Sequence, residues 1–252
     1  MNPSPDATPP DPIHNGSVRV AAIGDLHVGE GARQPYRELF ARISQEADVL
    51  ALCGDLTNFG KTPEAEILAE DLQACTIPVV GVLGNHDYEC GQPQEVSRIL
   101  HQAGLKLLDG EAYEIDGVGF AGCKGFIGGY GRHMLSAFGE PEIKAFVQAA
   151  VDENLKLESS LRMLRNDRIV VVTHYAPVLE TVAGEPPEIF AFLGSARLGE
   201  TIDRFDGVKV AVHGHAHRGA YEGRTARGVP VYNVAKPVLN RDVGVEFAVF
   251  DV

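Results

Sequence analysis

Apolar runs recur along the chain at residues 18–24, 49–53, 78–83, 169–173 and 208–212, interrupted by charge only at Arg19 and Lys209 and each followed by glycine or a polar residue. Runs of this kind fit strands buried on both faces of a parallel sheet. Between them the spacing becomes helical. Tyr36, Leu39, Phe40 and Ile43 share one face after Pro35, and Ile67, Leu68 and Leu72 share one after Thr62-Pro63. Thr62 is the expected N-cap and Pro63 the first helical residue, with Glu64 and Glu66 favouring the positive helix start. Further helices are predicted over 94–103, over 140–164, and from a Ser195 cap to about 205. The resulting β-loop-α-β rhythm builds right-handed parallel crossovers.

A different pattern begins at Asp116-Gly117, which sits between the apolar residues Tyr113, Ile115, Val118 and Phe120. Such a dipeptide predicts a type I′ hairpin, and with it a second sheet containing antiparallel strands. Residues 229–234 and 245–252 are expected to complete that second sheet. The chain reads as one α/β domain over 17–252, with a Pro-rich tail over 1–16 that has too few apolar residues to fold.

Composition narrows the partners. With 252 residues, 44% hydrophobic and 23% charged, the chain can bury a full core. A net charge of −13 repels nucleic acid and anionic membranes, so neither is an expected partner; a homo-oligomer stays open. Cys53, Cys75, Cys90 and Cys123 show no C-x-x-C pairing, which predicts reduced thiols and a cytoplasmic setting. No apolar run reaches the ~20 residues needed to span a bilayer.

The chemistry lies just past the strand ends. Asp25-Leu26-His27, Gly54-Asp55, Gly84-Asn85-His86-Asp87, His174-Tyr175 and His213-Gly214-His215-Ala216-His217 each follow a buried run. They would share the carboxyl edge of the sheet, where α/β folds place their sites. Asp25 and His27, like His215 and His217, are two apart, so in extended backbone each pair faces one point. Taken singly, an Asp after a strand is more often a turn residue, and His27 more often a structural histidine. Five strand ends that all offer ligand-type groups point instead to metal. Carboxylate, imidazole and amide donors suit Mn, Fe or Zn better than copper or calcium.

This ordered set resembles the signature of the calcineurin-like metallophosphoesterases over residues 23–217. The resemblance implies a four-layer αββα sandwich of two mixed sheets with flanking helices. It implies two divalent or trivalent ions, one held by Asp25, His27, Asp55 and His217, the other by Asp55, Asn85, His174 and His215. Asp55 would bridge them, and a hydroxide between them would attack the phosphate ester. His86 would act as general acid, oriented by donating a ring hydrogen bond to Asp87. Gly54-Asp55-Leu56-Thr57-Asn58-Phe59-Gly60 lacks the Val-Asp-Arg-Gly continuation of the protein phosphatases, and its Gly-Asp-Leu-Thr segment is closer to the branch containing the bacterial cyclic-nucleotide phosphodiesterases. The implied substrate is therefore a small phosphodiester such as a nucleotide or cyclic nucleotide, with monoesterase, pyrophosphatase or non-catalytic scaffold as alternatives.

The segment 122–138 scatters glycines among Lys124, Phe126, Tyr130, Arg132 and His133. It reads either as a long surface loop or as a mobile lid in which Lys124, Tyr130, Arg132 and His133 contact substrate. The 178–194 loop, with Pro186-Pro187, is also placed near the site.

Overall fold

The computed structural model describes residues 16–252; the tail expected over 1–16 lies, apart from Gly16, outside the described residues. Strands β1 (Arg19–Ile23), β2 (Val49–Cys53) and β3 (Val79–Val82) alternate with helices α1 (Arg37–Glu46), α2 (Thr62–Leu72) and α3 (Pro93–Gln102). Then come β4 (Leu105–Leu107), β5 (Ala112–Ile115), β6 (Val118–Cys123), α4 (Pro141–Met163) and β7 (Ile169–Thr173). The last part holds α5 (Phe190–Leu193), α6 (Ala196–Ile202), β8 (Val208–His213), β9 (Glu222–Arg224), β10 (Pro230–Asn233) and β11 (Ala248–Asp251).

These strands form two mixed sheets, ordered β11-β1-β2-β3-β4 and β5-β6-β7-β8-β10-β9. Every residue of β2, β3, β6 and β7 is buried, because the sheets face each other on one side and carry helices on the other. The core between them includes Leu50, Leu52, Phe120 and Val172, while Leu157, Leu161 and Ile202 fill the layer where α4 and α6 cover the second sheet. The architecture is the four-layer αββα sandwich.

Local chemistry explains the turns. Asp116 (φ 51°) and Gly117 (φ 76°) both take the left-handed backbone that a type I′ turn requires, and β5 pairs antiparallel with β6 around them. Helix α2 begins one residue earlier than the sequence suggests. Thr62 is already helical, and the Glu64 carboxylate reaches back to accept from the Phe59 and Lys61 amides at 2.8 and 3.2 Å.

The C-terminal strand differs from expectation. β11 joins the first sheet, antiparallel to β1 with Arg19 opposite Asp251. The cause is the bridge between Gly24 and Ala235, which carries the chain across to the free edge of β1 after β10. The three-residue strands β4 and β9 are too short to show a period in the sequence. No helix among the described residues is long and apolar enough to cross a membrane.

Phe120 is fully buried between the sheets. Phe120→Ala is expected to lower unfolding free energy by about 3–5 kcal/mol in urea titration; a loss below about 1 kcal/mol would mean that the inter-sheet layer does not carry the core.

Candidate metal centre

β1, β2 and β3 run parallel, as do β7 and β8, so the loops that leave them meet at one edge of the sandwich. Backbone pairing ties the first two loops together, with Asp25 N donating to the Gly54 carbonyl and His27 N to the Asp55 carbonyl, both at 2.9 Å. Asp25, His27, Asp55 and His215 all adopt positive φ, at 60°, 47°, 48° and 72°. Left-handed backbone is uncommon outside glycine and collects at functional sites. Here it turns successive side chains inward off the strand ends.

The motif glycines make room for those side chains. A Cβ on Gly84 would sit 2.1 Å from Asp55 Oδ1, and one on Gly214 would sit 2.4 Å from Asp25 Oδ2. The carboxylates therefore lie directly over bare backbone. Asp25 accepts from the His215 amide at 3.0 Å and faces His217 Nε2 at 2.9 Å. Asp55 Oδ1 lies 3.3 Å from His174 Nε2, while Oδ2 lies 3.9 Å from the Nε2 atoms of both His27 and His86. His174 Nε2 also meets Asn85 Oδ1 at 2.9 Å.

Three groups of donor atoms result, each with its atoms within 4.8 Å of one another: Asp25, His27 and His217; His27, Asp55 and His86; Asp55, His174 and His215. The sequence profile described as calcineurin-like phosphoesterase matches residues 18–219, the span that carries all of these groups. The chain belongs to the calcineurin-like phosphoesterase family.

Individual relatives are more distant. A protein from Moraxella catarrhalis (strain BBH18) named probable cyclic nucleotide phosphodiesterase is 29% identical over 112 residues, which is 42% of this chain and 36% of that protein. The match thus spans about a third of that relative's length. Among solved structures, a phosphopantetheinyl hydrolase from Mycobacterium tuberculosis has a TM-score of 0.66 at 16% identity, covering 93% of this chain and 96% of that one. A dimetal phosphatase from Danio rerio has a TM-score of 0.55 at 15% identity, covering 87% of each chain. Both share the calcineurin-like phosphoesterase fold.

The donor set fits a metal. Both ring nitrogens of His27 are buried without a hydrogen-bond partner, an arrangement that protein groups alone leave costly. Burial lowers the pKa of His27 against the pull of Asp55 and Asp25, and so favours the neutral ring that ligates metal. Burial and His174 likewise push His215 down to about 4. Its Nε2 lies 3.2 Å from the Phe192 carbonyl; an Nε2–H donated there leaves Nδ1 as the free lone pair. His174 behaves in the opposite way. Burial opposes its charged form, yet Asp55, Asp25 and the Cys53 carbonyl raise its pKa to about 9. The negative field that holds a proton on His174 is the field that would hold a cation.

Several expected roles change. Asp87 does not touch the His86 ring. Its buried carboxylate accepts from the amides of Leu56, Thr57 and Gly84 at 3.2, 2.8 and 2.7 Å and from the Thr57 hydroxyl at 2.6 Å, which binds the β2 and β3 loops together. His86 is oriented instead by the Asn58 carbonyl, 2.7 Å from its Nδ1. Tyr130 is buried, and its hydroxyl donates to the Ala176 carbonyl at 3.1 Å, so it faces the protein rather than a substrate. The 122–138 segment is pinned rather than lid-like: Gly128 N donates to the Ala191 carbonyl and Gly129 N to the Gly194 carbonyl, at 2.8 and 2.9 Å. Arg132 is exposed to solvent, the side chain of His133 lies outside the described part of the structure, and Lys124 lines a cavity beside Asn85. His213 is held by Thr181 and the Gly214 carbonyl, at 2.8 and 2.7 Å.

Backbone carbonyls are what residue-type reasoning misses, since those of Asn58, Cys53 and Phe192 carry no sequence signature. Glu153, on α4 and far from every motif, accepts from Gly125 N at 3.0 Å and fixes the start of the 124–138 loop; only its place as a carboxylate in the buried stripe of Val147, Ala150, Leu157 and Leu161 could have flagged it.

Gly84→Ala drives a methyl group into Asp55, so the purified variant is expected to hold less than half the metal of the parent by elemental analysis. Full metal content would show that Asp55 can move aside without loss. Asp87→Ala strands three buried amides, and a destabilisation of about 3 kcal/mol or more is expected in denaturant titration; an unchanged midpoint would remove the tie assigned to it.

Proposed function

We propose that this chain is a two-metal phosphodiesterase acting on a small nucleotide-like diester. The observation that carries the reading is the Asp55 carboxylate, which presents Oδ1 to His174 and Oδ2 to His27 and His86. A carboxylate placed in this way can serve two cations at once. Asp25, His27 and His217 would complete one set, and Asn85, His174 and His215 the other. Bound metals would polarise the phosphoryl oxygens and lower the pKa of a coordinated water.

The protein's own groups position the rest. His86 is fixed through Nδ1 by the Asn58 carbonyl, which leaves Nε2 facing the site. In its charged form it can pass the Nε2 proton to the departing oxygen. Support for a diester comes from the relative named as a probable cyclic nucleotide phosphodiesterase and from Leu56-Thr57-Asn58-Phe59-Gly60 after Gly54-Asp55, a stretch with no counterpart of the phosphate-clamping arginine of the protein phosphatases. A net charge of −13 disfavours a polymeric nucleic acid, so the substrate is small.

Asp55→Ala is expected to lose both metals and all turnover; retention of two ions would end the bridging assignment. His86→Ala is expected to lose about 10²–10⁴ in kcat with metal content intact, and to lose less on an ester whose leaving group departs unprotonated. An equal loss on good and poor leaving groups would contradict the acid role.

A further inference from the structure

A cavity of about 450 Å³ opens beside the metal centre, between the His86–Tyr88 turn, the first residues of the 124–138 loop and α4. Its volume lies in the range of small-molecule sites. Asn85 lines it and also meets His174, so the inner end of the cavity is the rim of the metal centre. A phosphate bound there would have one ester arm within reach of the cavity.

The walls are chemically distinctive. Tyr88, Phe126 and Tyr175 supply three rings, and the Lys124 ammonium lies 5.4, 5.0 and 5.3 Å from their centroids. Lys124 Nζ donates to the Gly125 carbonyl at 2.7 Å and makes no other hydrogen bond among the described residues. An ammonium has three N–H donors, so donor capacity is left for a ligand. Burial lowers the Lys124 pKa, with Glu153 opposing. Lys156 is already paired with Glu153 and Asp109, at 2.9 and 2.7 Å. The charges lining the cavity, Lys124 and Lys156 against Asp152 and Glu153, cancel.

We propose that this cavity is the subsite for the organic arm of the diester, and that the arm is a neutral planar heteroaromatic group of the nucleoside kind. It would pack against Tyr88 and Phe126 and accept a hydrogen bond from Lys124 at a ring carbonyl or nitrogen. The inference rests on the phosphodiesterase reading for the position of the phosphate. Charge balance argues against a second phosphate here, which would meet no net positive potential. A plain alkyl arm would cover Lys124 and leave its spare donors unpaired, at a cost. A heteroaromatic ring satisfies both the rings and the ammonium.

The test compares two diesters that release the same 4-nitrophenolate, thymidine 5′-(4-nitrophenyl phosphate) and methyl 4-nitrophenyl phosphate, on the full chain loaded with Mn²⁺. The parent is expected to prefer the thymidine diester at least about tenfold in kcat/KM, and Tyr88→Ala and Lys124→Met should each cut that preference by about tenfold, the scale of one lost base–ring contact. Tyr88 is 38% exposed, so its truncation leaves the core intact. No preference in the parent, or a preference that survives both substitutions, overturns the subsite. If neither diester is hydrolysed, the phosphodiesterase reading fails on its own, and titration of thymidine into the Mn²⁺-loaded protein decides the subsite. Binding weakened about tenfold by Tyr88→Ala upholds it; no binding, or binding that both variants leave unchanged, overturns it.

Discussion

Two buried carboxylates, Asp25 and Asp55, set the terms for the rest of the molecule. Each is almost wholly removed from water, and an ionised carboxylate in that position must be compensated by positive charge or several donors. The protein supplies part of this through the amides of His215 and His86 and part through imidazoles. Burial raises the Asp55 pKa, but His174 and the His86 amide outweigh it and hold the carboxyl below its ordinary value. The left-handed turns at Asp25, His27, Asp55 and His215 are tolerable because the sheets and the cross-loop hydrogen bonds over-determine them. A divalent cation would complete the compensation.

The sandwich is what makes this crowding possible. Parallel strands deliver all their carboxyl ends to one edge, and their burial, broken only at Arg19 and Lys209, keeps them from shifting along one another. Asp87 then pulls the loops after β2 and β3 into contact, while Glu153 anchors the 124–138 loop to α4. Carboxylates outside the ligand-type set thus hold the loops around it in place. The aromatic cavity at Asn85 is built from that same anchored loop and from the turn that carries His86.

Much of this was legible because it is local. An apolar run followed by Asp-x-His or Gly-His-x-His contains both the strand and the ligand-type groups in about ten residues, so order and spacing point to one shared edge. The hairpin at Asp116-Gly117 was legible for the same reason, since backbone preference at two residues decides it. What stayed hidden was non-local. The partner of β11 depends on where the chain crosses after Asn233, and the orientation of His86 depends on a carbonyl rather than a side chain. Asp87 misled because its neighbour in sequence was a better-looking partner than the amides of Leu56, Thr57 and Gly84. Tyr130 misled because an aromatic among glycines resembles a lid residue until the loop is seen to be pinned.

The most direct measurement is hydrolysis of an aryl phosphodiester beside the matching monoester by protein stripped of metal and then titrated with Mn²⁺. Turnover of the diester that is absent after stripping, and that reaches its maximum at two bound ions per chain, is the expected result. Full turnover by the stripped protein, or silence on both esters with two ions bound, would contradict the two-metal phosphoesterase centre.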